Sequence, residues 1–332
     1  MTDPSPIINL ANAFLGSCVL FTASDAGIFR RLSEQDGLDA PTLAADLNLN
    51  PRGAELLLDA CVAEALLTKS GTIYSNTPLA RIFLTPGSPA DLSNAIRYNR
   101  DIYAAWGRLG ELARTGKPVE RPELHLGEDE NRTRTFVMSM HGRALGIGRG
   151  VVPLMDLAGR KRLLDVGGGP GTYSVLITRQ FEGLQSTVLD LPEVVKIAAG
   201  LIDHQGASDR VNVQAGDYHT AEFPAGVDAV NFFGMLHQES PDGIRSLARK
   251  AFAALEPGGV VHVMDMMTDA THTAPAFSAL FALTMALTTD NGWVFSSDEL
   301  RGWLEEAGFR DFEVKPLPAP LPHWLAKAKK PL

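Results

Sequence analysis

Cysteine is scarce in this 332-residue chain: Cys18 and Cys61 are its two, each inside an apolar stretch. That number and spacing exclude a disulfide framework and a thiolate metal cluster, and predict reduced, buried thiols with no metal. Positive charge is also in deficit. The 30 Lys and Arg stand against 39 Asp and Glu, a formal net charge of −9. This balance disfavours a nucleic-acid backbone or an anionic membrane as main partner. The N-terminus, MTDPSPIINL, lacks a basic segment ahead of an apolar core, so no export signal is read there. The longest apolar stretch is placed at 274–287, short for a bilayer and interrupted by Ser278 and Thr284. Together these absences predict a cytoplasmic protein. Repeats and low-complexity tracts are missing too, and the proline-rich Pro316–Pro322 reads as the connection of a last hairpin.

The length suffices for two domains, each with its own core. Residues 1–100 read as mostly helical. An apolar region Ile7–Leu32, broken around Ser24–Gly27, precedes helices Pro41–Asp46 and Pro51–Leu67, a strand Thr72–Ser75 and a further helix. Helix–turn–helix followed by a hairpin is a winged-helix pattern, which raises a DNA-binding regulator as one reading. A recognition helix would carry basic and polar residues into the major groove. The second helix instead sets Arg52 against Glu55, Asp59 and Glu64, a surface suited to another protein chain and not to phosphates. Residues 101–160 read as a helical connector with a charged loop at Gly116–Arg132, a helix Thr133–Leu145 and one more helix. From 161 to 332 strands and helices alternate, with strands near 162–166, 186–190, 211–215, 227–232, 259–265, 311–315 and 323–328. That order predicts an α/β domain built on a doubly wound sheet.

Residues 163–174, LLDVGGGPGTYS, carry the most information. Leu163–Val166 form a buried-strand pattern with Asp165 near its end, and Gly167, Gly168, Gly169 and Gly171 open a helix. Glycines at a strand-to-helix turn let the backbone approach a ligand where a Cβ would collide. No Lys follows, as a P-loop needs, and Thr172 stands where the dinucleotide pattern has its third glycine. A carboxylate before the turn repels pyrophosphate and attracts a cationic, amino-bearing ligand such as S-adenosylmethionine; a purely structural turn is the alternative. Two more strand ends are acidic. Asp190-Leu191-Pro192 is placed to meet ribose hydroxyls, and Gly216-Asp217-Tyr218 to meet an adenine amino group and its ring. Each Asp alone reads as a helix N-cap or turn residue; three acidic strand ends in register point to one site.

The fourth strand, VDAVNFF, runs into Gly234-Met235-Leu236-His237, and the fifth, VVHVMD, ends in Asp265. The carboxyl ends of parallel strands form the ligand crevice, so His237 falls beside whatever the glycine turn holds. A neutral imidazole there can take a proton from a hydroxyl that attacks a methyl group. Asp265 can hold the other ring nitrogen, the orienting role of a triad carboxylate. Without Asp265, a helix-terminal surface histidine would describe His237 as well.

The motifs DVGGGPG at 165–171, DLP at 190–192, GD at 216–217, LH at 236–237, PGG at 257–259 and EAGF at 306–309 resemble a known family over nearly the whole chain. It is the class I S-adenosylmethionine-dependent O-methyltransferases of the plant caffeate/acetylserotonin type, in their bacterial branch. The resemblance implies a winged-helix dimerisation domain at 1–100, hence a homodimer, a connector at 101–160 that contributes to the acceptor pocket, and a Rossmann-like methyltransferase domain at 161–332. Its sheet would have seven mostly parallel strands, the last antiparallel. It implies cofactor contacts at Gly167, Asp190, Leu191, Asp217 and Tyr218, with Phe233 where plant members often carry a Lys. Asp165 and Gly169 join them from the reading of the turn. His237 matches the family's base, and Asp265 takes the place of the carboxylate that assists it. Phe136 and Met140 match an F-x-x-x-M pattern whose Met lines the acceptor pocket, with His141 beside it; core packing is the other reading of Met140.

Two departures stand out. Plant members follow the His with Asp-Trp, where this chain has Gln238-Glu239. They also carry a second Glu in the segment matching Asn291–Ser296, and Val294 holds that position here. One carboxylate fewer around the base leaves room for a softer acceptor, a thiol or thioether, and a non-methylating or regulatory descendant also stays open. The 274–287 helix, apolar nearly all round, is expected to be buried. One of its faces would meet the dimer partner while Phe277, Phe281 and Met285 approach the acceptor, with Trp293 and Phe295 as aromatic walls. The expected function is methyl transfer to a hydroxyl of a small, partly apolar molecule held mostly by shape, leaving S-adenosylhomocysteine.

Overall fold

The computed structural model describes residues 2–88, 90–121 and 127–332, so 122–126 of the expected charged loop lie outside the described residues. The chain divides into two compact units, residues 1–100 and 101–332.

The first unit runs α1 (Ser5–Asp25), α2 (Ile28–Glu34), β1 (Leu38–Asp39), α3 (Ala40–Asp46), α4 (Pro51–Ala63), β2 (Leu67–Ser70), β3 (Ile73–Asn76), α5 (Pro78–Phe83) and α6 (Ser93–Asp101). Asp39, Asn50 and Thr77 cap α3, α4 and α5 by accepting from Thr42, Gly53 and Ala80 N–H, each with a proline in the first turn. Such a cap satisfies an orphan donor, and proline there loses no hydrogen bond. The helix expected to reach Leu67 ends at Ala63. Ala65 takes a left-handed φ of 56°, and Leu67, read as a last helical residue, opens a strand antiparallel to β3. The core gathers Ile28, Phe29, Leu32, Leu43, Leu58 and Tyr74. Cys61 lies within it, burial pushing its thiol up to about 11, whereas Cys18 is half-buried; neither forms a disulfide among the described residues.

Helix α1 corrects the sequence reading. From Ser5 to Ser24 no residue is charged, and the helix is long and apolar enough to cross a membrane, so the longest apolar segment is not 274–287. Asn9 and Asn12 break the run in sequence without changing its overall character. Its Ile7, Ile8, Leu10, Phe14 and Leu15 are exposed, and Ala23 is its one buried residue.

The second unit contains α7 (Tyr103–Trp106), α8 (Leu109–Thr115), α9 (Glu130–Val151), β4 (Arg162–Val166), α10 (Thr172–Gln180), β5 (Gln185–Asp190), α11 (Pro192–His204), β6 (Val211–Ala215) and β7 (Val227–Phe233). It continues with α12 (Pro241–Ala254), β8 (Leu255–Asp265), α13 (Ala276–Thr288), α14 (Ser297–Glu306), β9 (Arg310–Pro316) and β10 (Trp324–Lys329). The sheet order is β6-β5-β4-β7-β8-β10-β9, parallel except for β10, which is antiparallel to both neighbours. Apolar clusters cover both faces, as a parallel sheet requires. The two helices expected after residue 132 are one. The glycines that suggest a break instead admit neighbours: a Cβ at Gly148 would stand 2.3 Å from Leu176, and one at Gly150 2.7 Å from Leu321. Strand order reverses direction at β4, between β5 and β7, and such a switch point opens a crevice at the carboxyl ends of the strands.

Candidate functional site

The glycine turn sits at that switch point. Gly167, Gly169 and Gly171 have φ of 63°, 54° and 70°, a left-handed region costly for any residue with a Cβ. Gly168 is needed for space, since a Cβ there would lie 2.8 Å from the Asp165 carboxylate. The turn is tied to the end of β5: Gly167 N–H donates to Leu189 O at 2.8 Å, and Gly169 N–H to Asp190 Oδ2 at 2.8 Å. Leu191 N–H donates to Asp190 Oδ1 at 2.8 Å. Burial raises the Asp190 carboxyl above its ordinary range, and these two N–H groups oppose the rise. Space is open where a Cβ would stand at Gly169 and at Gly234, the left-handed residue that ends β7.

The three acids are staggered, not in register. Asp165 pairs with Val188, Asp190 pairs with Ala215, and Asp217 lies two residues past β6. Apolar strand contacts set that register, so the carboxylates rise in steps. Asp165 is fully buried beneath the turn, where Ser174 Oγ donates to its Oδ2 at 2.6 Å and Ser186 Oγ lies 2.8 Å from Ser174. Burial pushes it up to about 7, and its Oδ1 has no partner among the described residues. Asp217 is exposed and accepts from His219 N–H at 2.8 Å. Half-buried Tyr218 donates its O–H to Glu239 Oε1 at 2.8 Å, and burial together with that acid raises its phenol.

His237 lies in a single 3-10 turn, Leu236–Gln238, just past β7. Its Nδ1 is 2.6 Å from Asp265 Oδ1, and its backbone N–H donates to Asp265 Oδ2 at 3.2 Å. Met266 N–H also donates to Asp265 Oδ1, at 2.8 Å. A carboxylate that accepts from all three makes Nδ1 the protonated nitrogen and leaves the Nε2 lone pair available. Among the described residues, His237 has no recorded hydrogen bond at Nε2.

The imidazole meets the Phe281 ring edge-on at 5.1 Å. Phe281 and Met285 are buried with Met266 and Val294 in one apolar cluster. Phe277 and Leu280 are exposed, so α13 is not buried all round; Phe277 stacks on Phe281 at 6.5 Å instead of facing inward. Trp293 donates its backbone N–H to His237 O at 3.0 Å and its indole N–H to Glu239 O at 2.9 Å, tying down the main chain of the turn that carries His237. Phe295 belongs to the core and is fully buried.

Phe233 packs against the edge of Tyr173 at 5.2 Å, within the core under α9 and α10. His141 places Nδ1 2.7 Å from Thr172 Oγ1, at the start of α10, and burial lowers its pKa. Phe136 and Met140 are half-buried on α9. Sequence reading missed Ser174, Ser186 and His323. His323 is buried, its Nδ1 without a partner among the described residues, and burial pulls it down to about 4. Its one sequence signal was a histidine between proline and tryptophan at a strand start. Glu239 was read only as a departure from the plant pattern, and its tie to Tyr218 was not legible.

A family model described as the O-methyltransferase domain matches residues 122–310, and one for the O-methyltransferase dimerisation domain matches 8–86. The chain belongs to the O-methyltransferase family. This methyltransferase is 31% identical to 3-hydroxy-5-methyl-1-naphthoate 3-O-methyltransferase of Streptomyces sahachiroi, over 92% of this chain and 89% of the relative. It is 31% identical to acetylserotonin O-methyltransferase of Macaca mulatta, over 92% of each. The crystal structure of human N-acetylserotonin methyltransferase in complex with SAM matches with a TM-score of 0.90 at 28% identity, covering 99% of this chain and 97% of that one. The enzyme is a methyltransferase dependent on S-adenosylmethionine. Its glycine turn suits that molecule: left-handed glycines, open space at Gly169 and Gly234, and an Asp190 carboxylate already fixed by two backbone donors. Among the described residues, no three His, Cys, Asp or Glu side chains gather as metal ligands.

Proposed function

We propose that the enzyme moves a methyl group to a hydroxyl of a small, planar, partly apolar acceptor, with His237 as general base. Bound S-adenosylmethionine supplies an electrophilic methyl on a sulfonium. Gly167, Gly169, Asp190, Leu191, Asp217 and Tyr218 would hold it, with Asp165 beneath, whereas Phe233, expected among these contacts, is packed in the core against Tyr173. His237 Nε2 takes the acceptor's proton, and Asp265 stabilises the resulting imidazolium through Nδ1–H. Phe136, Met140, His141, Phe281, Met285 and Trp293 wall the acceptor and keep its oxygen in line with the methyl carbon, which lowers the barrier by orientation. The His237–Asp265 contact of 2.6 Å carries this reading. The relatives' names, which specify O-methylation of a hydroxynaphthoate and of acetylserotonin, support it.

The test is incubation with labelled S-adenosylmethionine and a panel of phenols, hydroxylated isoprenoids, thiols and thioethers. Label entering hydroxyl groups is expected. Label confined to sulfur would favour a second reading, suggested by Val294: the apolar cluster leaves the base with one carboxylate, enough for a nucleophile that needs little deprotonation. The exposed apolar face of α1 we assign to a homodimer, in line with the dimerisation-domain match. A cytoplasmic location is part of the same proposal. Light scattering at twice the chain mass is expected, and co-flotation with lipid vesicles would contradict it.

A further inference from the structure

Three buried polar residues stand at one level of the three central strands β4, β7 and β8. Asp165 of β4 is the register partner of Asn231 of β7, and Asn231 that of His262 of β8. Side chains of register partners share a face, so the three form a row, flanked on that face by Leu163, Ala229, Phe233, Val260 and Met264. All three are fully buried. Buried polar atoms are nearly always hydrogen-bonded. Yet Asp165 Oδ1, Asn231 Oδ1, Asn231 Nδ2 and His262 Nδ1 have no partner among the described residues.

These four atoms alternate in kind. Asp156 N–H donates to His262 Nε2 at 3.3 Å, so the neutral ring carries its proton on Nδ1. The order along the row is then donor (His262 Nδ1–H), acceptor (Asn231 Oδ1), donor (Asn231 Nδ2) and acceptor (Asp165 Oδ1). A single sense of donation would satisfy all four atoms, directly or through a bridging water. Ser174 supplies the other Asp165 oxygen, and the carboxylate lies against Gly168, the centre of the glycine turn.

We infer that Asn231 and His262 are positioning residues that hold the Asp165 carboxylate as an oriented anion beneath the turn, favouring the positively charged methyl donor. The inference rests on the proposed role of Asp165 at the cofactor. Several groups bear on that charge. Ser174 lowers the Asp165 pKa and Asp190 raises it, Tyr173 of α10 lies nearby with Arg143 of α9 beside it, and Ser186 reaches it through Ser174. Around His262 are Arg160, Asp156 and Lys327. With burial setting Asp165 at about 7, one donor gained or lost moves its charge across neutral pH.

Calorimetry with S-adenosylmethionine on the full chain, from about pH 6 to about pH 9, tests the row across the range where Asp165 titrates. Wild-type affinity is expected to rise as Asp165 ionises, and D165N to bind weakly with a flat profile. If D165N keeps the wild-type profile, the role of Asp165 itself fails. In N231L the midpoint should move up by about one pH unit, giving about fivefold weaker binding near neutrality and convergence with wild type at high pH. An N231L profile that superimposes on wild type, or is weaker by one factor at every pH, overturns the row while leaving Asp165 in place. Should N231L fail to fold, the wild-type protein supplies the check: long-range nitrogen–proton NMR should find the His262 proton on Nδ1. A proton on Nε2 breaks the alternation and overturns the inference.

Discussion

Asp265 grips His237 twice, by the ring Nδ1 at 2.6 Å and by the backbone N–H at 3.2 Å. The same carboxylate therefore sets the tautomer of the imidazole and the position of the chain that carries it. His237→Ala should lower kcat by about 10²-fold or more while leaving S-adenosylmethionine affinity nearly intact. Asp265→Asn should lower kcat too, because an amide can present an N–H to the ring and favour the wrong tautomer. Steady-state kinetics beside calorimetry checks both; unchanged turnover in H237A removes the base from the mechanism.

Asp190 is expected to act on binding and not on chemistry. Its two backbone donors fix both oxygens where the turn meets β5. Asp190→Ala should weaken S-adenosylmethionine by about tenfold or more, the loss of charge-assisted hydrogen bonds. At saturating cofactor kcat should stay within a few-fold of wild type. A tight-binding, slow D190A enzyme would contradict this assignment.

Gly171 combines a φ of 70° with a Cβ position 2.9 Å from Ile202 Cδ1. Gly171→Ala should cost about 1–3 kcal/mol through backbone strain and crowding. Thermal unfolding measures it, and an unchanged melting temperature would show that the turn tolerates a Cβ.

His323 is held near 4 by burial, and His262 near 3, against about 6.5 in an unfolded chain. Below that value the unfolded state takes up the proton first. Each side chain therefore withdraws stability as pH falls from about 6.5 towards its folded value, by up to about 1.4 kcal/mol per pH unit. Asp165, raised to about 7, has the opposite sign and adds stability as pH falls over the same window. Melting temperature against pH should decline less steeply on the acid side for His323→Phe than for wild type; parallel declines would refute the assignment.

The seven-stranded sheet was legible because its central strands β4, β7 and β8 hold apolar runs and strands alternate with helices along the chain. The candidate site's geometry was legible where chemistry and spacing coincide: the glycines after β4, Asp190 at the end of β5, and His237 just past β7 beside Asp265 at the end of β8. Less local facts were hidden. The hairpin was expected after Leu67, but nothing in the apolar run marks that the helix ends at Ala63 and that Leu67 already belongs to its first strand. The continuity of α9 rests on Leu176 and Leu321 packing where its glycines leave room. The stagger of the three acids depends on a register set by apolar neighbours. Asn231 and His262 did leave a trace, as lone polar residues in VDAVNFF and VVHVMD, but their common level needs the pairing of three strands.

The His237 imidazole is anchored from the sheet side by Asp265, whereas the Phe281 ring that meets it belongs to α13, whose outer face carries exposed Phe277 and Leu280. On the proposed mechanism, the group that takes the proton is thus held by the sheet and one wall of the acceptor by a helix. Substitutions on α13 other than at Phe281 would then reshape the pocket while both Asp265 contacts to His237 stay in place.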